Sequence, residues 1–437
     1  MLMKPYRILL AFGLLLMVSF QGLTQNVKMK SYEFGEGLEF ETEDGAEFEI
    51  TGYIQPYFES KNYTEAEDLD AQNRFRMRRA RIRFNGQSSN ERFSYRLQID
   101  LSGSSEVDDS DGNLFLWDAY LSYDITSRIN LTFGQRSTYT DNRELFINSY
   151  ALQLVERSRV TSAFASIREF GFFLQGNFRT GGGSYLKPYL VLTNGDGSNV
   201  FDKDHGGLKI GGRLDFLPFG LFTNYGQFRE ADVVREQAPK LVVGVNYSFN
   251  SGISSRRGRG SGDIIYLNDQ DEESLPDFIK YGVDFLFKYR GFSALGEFVK
   301  TAATVPSDIT QRVRNDGSIS TNFEVDGVQD VENYVKGRMM LGQGYNIQMG
   351  YLFKNGFSID GRYTHLDADT HSFLNNGTFY SRPNYYTLGI SKYLDRSYGA
   401  KIQASYTYNE GDNINDNNGN PIEGNEWVAR LMLTLTF

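Results

Sequence analysis

With 437 residues, no Cys and a mean hydropathy of −0.44, the chain is neither a disulfide scaffold nor a bundle of membrane helices. A formal net charge of −10 argues against nucleic acid as a partner. Aromatic residues nevertheless make up 15%, with 28 Tyr and 34 Phe. A soluble chain this polar rarely needs so many rings, whereas a transmembrane β-barrel needs them for its two interfacial girdles.

Lys4 and Arg7 precede an apolar run from Ile8 to Phe20, followed by small and polar residues from Gln21 to Gln25. The run falls short of the roughly 20 residues of a spanning helix, so residues 1–24 read as a secretory signal peptide. Residues 25–47 form a periplasmic lead-in segment dense in carboxylates, from Glu33 to Glu47, against only Lys28 and Lys30. That imbalance is compatible with disorder.

From residue 48 to 437 the pattern is apolar and polar in alternation, the period of a strand with two different faces. At the end of the chain Trp427, Ala429, Leu431, Leu433, Leu435 and Phe437 fall on one face, and Val428, Arg430, Met432, Thr434 and Thr436 on the other. Candidate strands lie near 48–59, 73–86, 91–102, 113–124, 128–138, 168–179, 184–194, 207–217, 240–250, 278–289, 292–303, 335–353, 357–367, 384–394, 399–409 and 426–437. Short spacers such as Asn355 with Gly356 alternate with long ones such as 139–167 and 304–334. Short periplasmic turns and long outer loops give that rhythm. The fold expected is all-β, a 16-stranded antiparallel transmembrane barrel; 221–228 also looks strand-like, which keeps eighteen strands open.

In the second strand Ala80, Ile82 and Phe84 share a face, which puts Arg79, Arg81 and Arg83 on the other at about 7 Å intervals. Arg92, Arg96, Arg128 and Arg136 fall on the polar side of the next strands. Guanidinium groups stay charged and present forked donors suited to phosphate or carboxylate oxygens. Two readings stand: an anion-binding wall, or arginines paired with lumen carboxylates such as Asp100, Asp118 and Glu169. Phe75 and Met77 share parity with Arg79, so a bulge or strand end is expected near Arg78, which makes Arg74 and Arg76 poor lumen candidates. The spacer 139–167 is too long and too apolar to lie bare in water. It either folds into the lumen or packs on a neighbouring subunit.

Several segments, taken in order, resemble the phosphate-selective porin O and P family: Arg78-Arg79-Ala80-Arg81-Ile82-Arg83-Phe84 with Gly86, Leu116-Trp117-Asp118-Ala119-Tyr120, Phe133-Gly134-Gln135, Val155-Glu156-Arg157-Ser158, Asn194-Gly195-Asp196-Gly197, Gly211-Gly212-Arg213 leading to Pro218-Phe219, Gly291-Phe292 with Gly296-Glu297-Phe298, and Gly344 to Tyr351. The resemblance spans residues 50 to 437. It implies sixteen strands, homotrimers, basic side chains along the lumen that attract phosphate, and a pore-folded loop at 139–167 with Arg157 and Arg159 as constriction-lining candidates. The chain departs from an anion channel in overall charge: after residue 49 it carries 41 Lys and Arg against 47 Asp and Glu.

Only His205, His365 and His371 could join a metal site, and the Asp- and Asn-rich stretch from Asp412 to Asn420 lacks a closing Glu for calcium. No metal, cofactor or enzymatic turnover is expected. Arg256, Arg257 and Arg259 make one basic outer loop, able to gather anions or lipopolysaccharide phosphates or simply to stay solvated. The sequence points to a passive channel for small anions, among them phosphate or pyrophosphate, set in outer-membrane lipid. A general or cation-tolerant porin, and a plugged barrel serving as surface scaffold or adhesin, are the rival readings.

Overall fold

The computed structural model describes residues 27–33, 37–63, 72–102, 116–198, 205–375, 382–394, 397–410, 414–415, 421–422 and 425–437; the expected signal peptide lies outside them. Sixteen of the described strands build the wall. They are β1 (Glu47–Tyr63), β2 (Gln72–Gln87), β3 (Phe93–Asp100), β4 (Leu116–Thr126), β5 (Ile129–Arg136), β6 (Glu169–Gly176, resumed at Phe178–Arg179), β7 (Tyr185–Thr193) and β8 (Lys209–Leu217). The second half comprises β9 (Lys240–Asn250), β10 (Asp277–Tyr289), β11 (Phe292–Thr304), β12 (Gly342–Leu352), β13 (Phe357–Ala368), β14 (Asn384–Tyr393), β15 (Ala400–Glu410) and β16 (Glu426–Thr436). Each pairs antiparallel with its chain neighbour, and β16 returns to β1 from Glu426↔Tyr63 to Thr436↔Tyr53. The sheet therefore closes without a free edge, as the absence of water in a bilayer requires.

Two expectations are settled by local chemistry. The strand expected over 335–353 begins only at Gly342, because the preceding stretch forms a short helix, α3 (Val331–Lys336), capped by Asp330 accepting from the Asn333 amide at 3.0 Å. The segment 221–228 is not a strand: it holds the 3-10 turn Thr223–Phe228, with Asn224 and Tyr225 at φ 49° and 54°. Sixteen strands, not eighteen, make the barrel.

Part of the acidic lead-in folds as a hairpin, Lys28–Glu33 on Gly37–Glu41, and the second arm pairs with β1 from Leu38↔Ile50 to Glu41↔Glu47. It continues along the edge of β1 beyond the β16 pairing, next to the point where the Phe437 backbone closes on Gly52 at 2.7 and 2.9 Å.

The two-faced pattern is explicit on β14 and β16. Leu388 is 69% and Ile390 58% exposed to the outside, while Thr387 and Ser391 point inward and are buried. Leu431 and Leu433 face out, and Met432 and Thr434 face in. Rings cluster where the wall meets the interfaces: Tyr345, Tyr363, Tyr386 and Tyr408 form a row near the outer ends of β12–β15, with centroids 5.1–6.5 Å apart. Phe93 with Tyr123, Phe287 with Phe292, and Tyr351 with Phe353 mark the periplasmic side. Above the wall, loops 251–276 and 305–341 pack a small apolar cap that includes Ile253, Tyr266, Phe323, Val335 and Met339.

Candidate solute pathway

The loop 139–167 crosses the lumen instead of standing outside it. It carries two short helices, α1 (Arg143–Phe146) and α2 (Arg159–Phe164), and ties itself to the wall on every side. Arg143 donates to Asp284 of β10 and Asp215 of β8, both at 2.8 Å, and Arg213 completes this fully buried cluster. The Glu144 amide meets Glu297 of β11 at 2.6 Å, Gln153 meets Asp360 of β13 at 2.6 Å, and Gln403 of β15 meets the Gln153 carbonyl at 2.9 Å. Inside the loop, the Glu144 carboxylate takes the Ser158 amide at 2.9 Å, and Ser158 caps α2.

Room for the loop comes from glycines in the wall. A Cβ on Gly244 would lie 2.0 Å from the Arg213 guanidinium and 2.8 Å from that of Arg143; one on Gly350 would lie 2.0 Å from Gln153, and one on Gly389 2.3 Å from Leu154. Glycine inside a strand marks such close approaches. The basic outer loop serves the same anchoring: Arg257 donates to the Ser162 carbonyl at 3.0 Å and Arg259 to that of Ala165 at 2.7 Å, at the end of α2. Those two side chains are therefore anchored, Arg257 buried and Arg259 partly so, and they satisfy carbonyls that the helix leaves open.

From the periplasmic side the connection 218–239 turns up into the mouth. Glu230 accepts from the Gln153 amide at 2.6 Å and from Gln348 at 2.9 Å. Lys288 and Tyr398 both donate to the Ala231 carbonyl, and Asp232 receives the Gly291 amide at 2.7 Å. Loop and connection together fill much of the lumen. What remains is a passage lined by β1–β3, by β13–β16 and by the loop's own Glu156, Arg157 and Arg159.

That passage holds two cavities. The upper one, of about 280 Å³, is lined by Arg74, Arg76, Arg78, Arg157, Arg159, Arg362, Arg430 and Lys61 against only Glu59, Glu156 and Glu426. The lower one, of about 660 Å³, has Arg81, Arg83, Arg96 and Arg229 against Glu39 and Glu49. The path is thus basic although the chain is acidic. Between the cavities lies a closed layer: Gln55, Arg79, Ser149 and Thr434 are 0–3% exposed.

One strand, β2, supplies five of these twelve basic groups, more than any other element. The β1–β2 register steps from Gln55↔Arg79 to Pro56↔Met77, leaving Arg78 as the extra residue of a bulge. Pro56 has no N–H to give to the ladder, which explains why the bulge forms there. Its effect differs from the expectation for Arg74 and Arg76. Phe75 and Met77 point out, and Arg74, Arg76 and Arg78 line the upper cavity in continuation of Arg79, Arg81 and Arg83.

The partners of this stripe are mixed. Arg74 pairs with Glu59 at 2.6 Å, Arg76 donates to the Tyr57 hydroxyl at 2.7 Å, and Arg81 pairs with Asp100 at 2.6 Å while stacking 3.9 Å from the Trp117 ring. Arg83 has neutral acceptors, Gln98 at 3.0 Å and Asn148 at 3.1 Å. Of the other carboxylates expected to neutralise the stripe, Asp118 pairs with Arg168 and Glu169 with Lys209.

The remaining candidates divide. Arg96 lines the lower cavity, bonded to Asn85 at 2.8 Å. Arg136 is walled off behind the loop among Tyr120, Tyr139 and Phe173, outside both cavities. Arg92 and Arg128 precede the first residues of β3 and β5 and sit exposed in turns, held through their amides by Asn90 and Thr126, so they do not reach the lumen. Arg157 borders the upper cavity but directs its guanidinium to the Glu144 and Ile147 carbonyls, and Arg159 lies 5.5 Å over the Tyr385 ring. Sequence reasoning set Arg430 on the inner face and Glu156 in the loop without assigning either to the path, and it missed Arg362. Among the described residues no cluster of side chains suits a metal ion.

Glu156 is the carboxylate that faces the stripe. Arg78 donates to it through Nε at 2.5 Å, and Arg79 at 3.1 Å. Burial pushes its carboxyl upward, but the two guanidinium groups outweigh that and hold it down to about 2.

Solved structures share this architecture at low identity. The outer membrane channel DcaP of Acinetobacter baumannii aligns over 91% of this chain and 99% of its own, with 13% identity and a TM-score of 0.51. Salmonella typhi OmpF in complex with daunomycin aligns over 90% and 98%, with 12% identity and a TM-score of 0.51. Pseudomonas putida OprB aligns over 90% and 94%, with 10% identity and a TM-score of 0.51. These likenesses concern the fold. No curated protein sequence matches the chain. The family described as phosphate-selective porin O and P matches residues 48–434, nearly the whole barrel. The chain belongs to that family and is an outer-membrane porin.

Proposed function

We propose that the porin passes small anions, with oxyanions such as phosphate and short carboxylates favoured, along the wall formed by β1 and β2. The observation that carries this is the run of six arginines, Arg74 to Arg83, which spans both cavities and the layer between them. A low-dielectric conduit with fixed positive groups concentrates counter-ions and excludes co-ions. The surplus of acids elsewhere does not oppose this, because carboxylates such as Asp215, Asp284 and Glu169 are already paired behind the loop. Liposomes carrying the purified protein should take up a small organic carboxylate faster than an ammonium ion of equal size. The reverse order would remove the anion reading and leave the porin.

The family resemblance also carries a homotrimer. Crosslinking of detergent-extracted protein should stop at three subunits, and a monomer band throughout would contradict it. The closed layer at Arg79 favours a second reading, a plugged barrel acting as a surface scaffold. Purified protein that gives no channel events in planar bilayers would support that reading.

A further inference from the structure

We propose that Arg78 and Arg79 form an oxyanion-binding step where the upper cavity meets the closed layer, that the Glu156 carboxylate is its resident occupant, and that a solute passes by taking the place of Glu156. This rests on the anion reading above. The geometry is that of a bound ligand. Glu156 Oε1 accepts from Arg78 Nε at 2.5 Å, and Oε2 accepts from the other end of the same guanidinium at 3.3 Å and from Arg79 at 3.1 Å. One carboxylate thus bridges two cations, the fork-on-fork match that planar guanidinium groups make with carboxylate and phosphate oxygens. A halide has a single centre and cannot reproduce the bridge.

Position and exposure suit exchange. The Glu156 side chain is 16% exposed, whereas those of Arg78 and Arg79 are 3% and 0% exposed. A solute in the upper cavity therefore meets the carboxylate before it meets the cations. The Glu156 backbone is fixed by Arg362, which donates to its carbonyl at 2.9 Å. Exchange then needs only rotation of the Glu156 side chain, not movement of the loop. If Glu156 left with nothing arriving, the Arg79 guanidinium would stay buried without this counter-charge, an unfavourable state. Another oxyanion removes that obstacle; a cation or a neutral solute does not. The step thus selects carboxylates and phosphates over halides. Glu156 remains ionised throughout the neutral and mildly acidic range, so the occupant is displaced by solute and not by protonation.

The test uses the full chain in planar bilayers, with chloride, inorganic phosphate and succinate as probes. Wild type should show small chloride currents and saturating phosphate and succinate currents. Glu156→Gln keeps the shape and removes the charge. It should raise chloride current several-fold and lower the half-saturating phosphate concentration about tenfold, a difference of about 1.4 kcal/mol. Glu156→Asp, which retains the occupant, should stay close to wild type and controls for folding. Glu156→Gln currents equal to wild type for all three probes, with anion preference intact, would overturn the exchange step alone. Cation preference in both proteins would overturn the anion reading on which it stands.

Discussion

Arg143 is fully buried with Asp215, Asp284 and Arg213, two cations against two carboxylates. Arg143→Ala would leave one guanidinium for two buried carboxylates, a loss of about 3–5 kcal/mol from breaking such a cluster. Limited proteolysis should then cut within 139–167, where wild type resists. Gly244→Ala acts on the same place by volume, since its Cβ would overlap the Arg213 guanidinium. Glu156 behaves differently with pH. Its folded value lies below the ordinary 4.5, so its contribution is complete above 4.5 and is lost only as pH falls toward about 2. Currents should therefore stay flat from neutral pH down to about 4.5, and a transition near neutrality would contradict the assignment. Parity in the sequence suffices to set Arg79, Arg81 and Arg83 on one face, because a strand has a period of two. It cannot tell on which side of a bulge the chain still faces the lumen, which is why Arg74 and Arg76 were misjudged. The inward glycines were a usable signal: Gly244, Gly350 and Gly389 interrupt otherwise well-formed strands, and each marks a contact with the loop or its anchoring cluster.

At the scale of elements, two connections that should be peripheral occupy the lumen. The entry of 139–167 was foreseeable as one of two outcomes from its length and apolar content. That of 218–239 was not, because the residues it inserts, Glu230, Ala231 and Asp232, carry no apolar stripe; buried hydrogen bonds hold them instead. Replacing 218–239 with a tight Asn-Gly turn should widen the periplasmic mouth and raise single-channel conductance. Anion preference should not fall, since the deletion removes three carboxylates, Glu230, Asp232 and Glu236, against two arginines, Arg229 and Arg235, while uncovering Lys288. Unchanged conductance would mean that the connection does not restrict the path. The start of β12 shows the converse limit. Alternation alone carried the strand back to residue 335, but Asp330 and the Glu332–Lys336 pair favour a helix there.

For the whole molecule, the barrel is stable only because its outer face meets lipid and its inner face meets fixed polar partners. Leu388, 69% exposed on the outside, should tolerate no charge: Leu388→Arg is expected to cost about 2–4 kcal/mol if it sits near the bilayer midplane. Folding titrations in lipid vesicles would read that loss. Net charge proved a poor guide to the path, because a sum over the chain cannot show that eight basic groups and only three acidic ones surround the upper cavity. The sign of the current-carrying ion separates an arginine-lined anion path from a general pore. The direct measurement is the zero-current potential of the purified porin in a planar bilayer under a KCl gradient. Anion preference in wild type that collapses in the Arg79→Ala, Arg81→Ala double variant is the predicted result; cation preference, or anion preference indifferent to that double substitution, would contradict it.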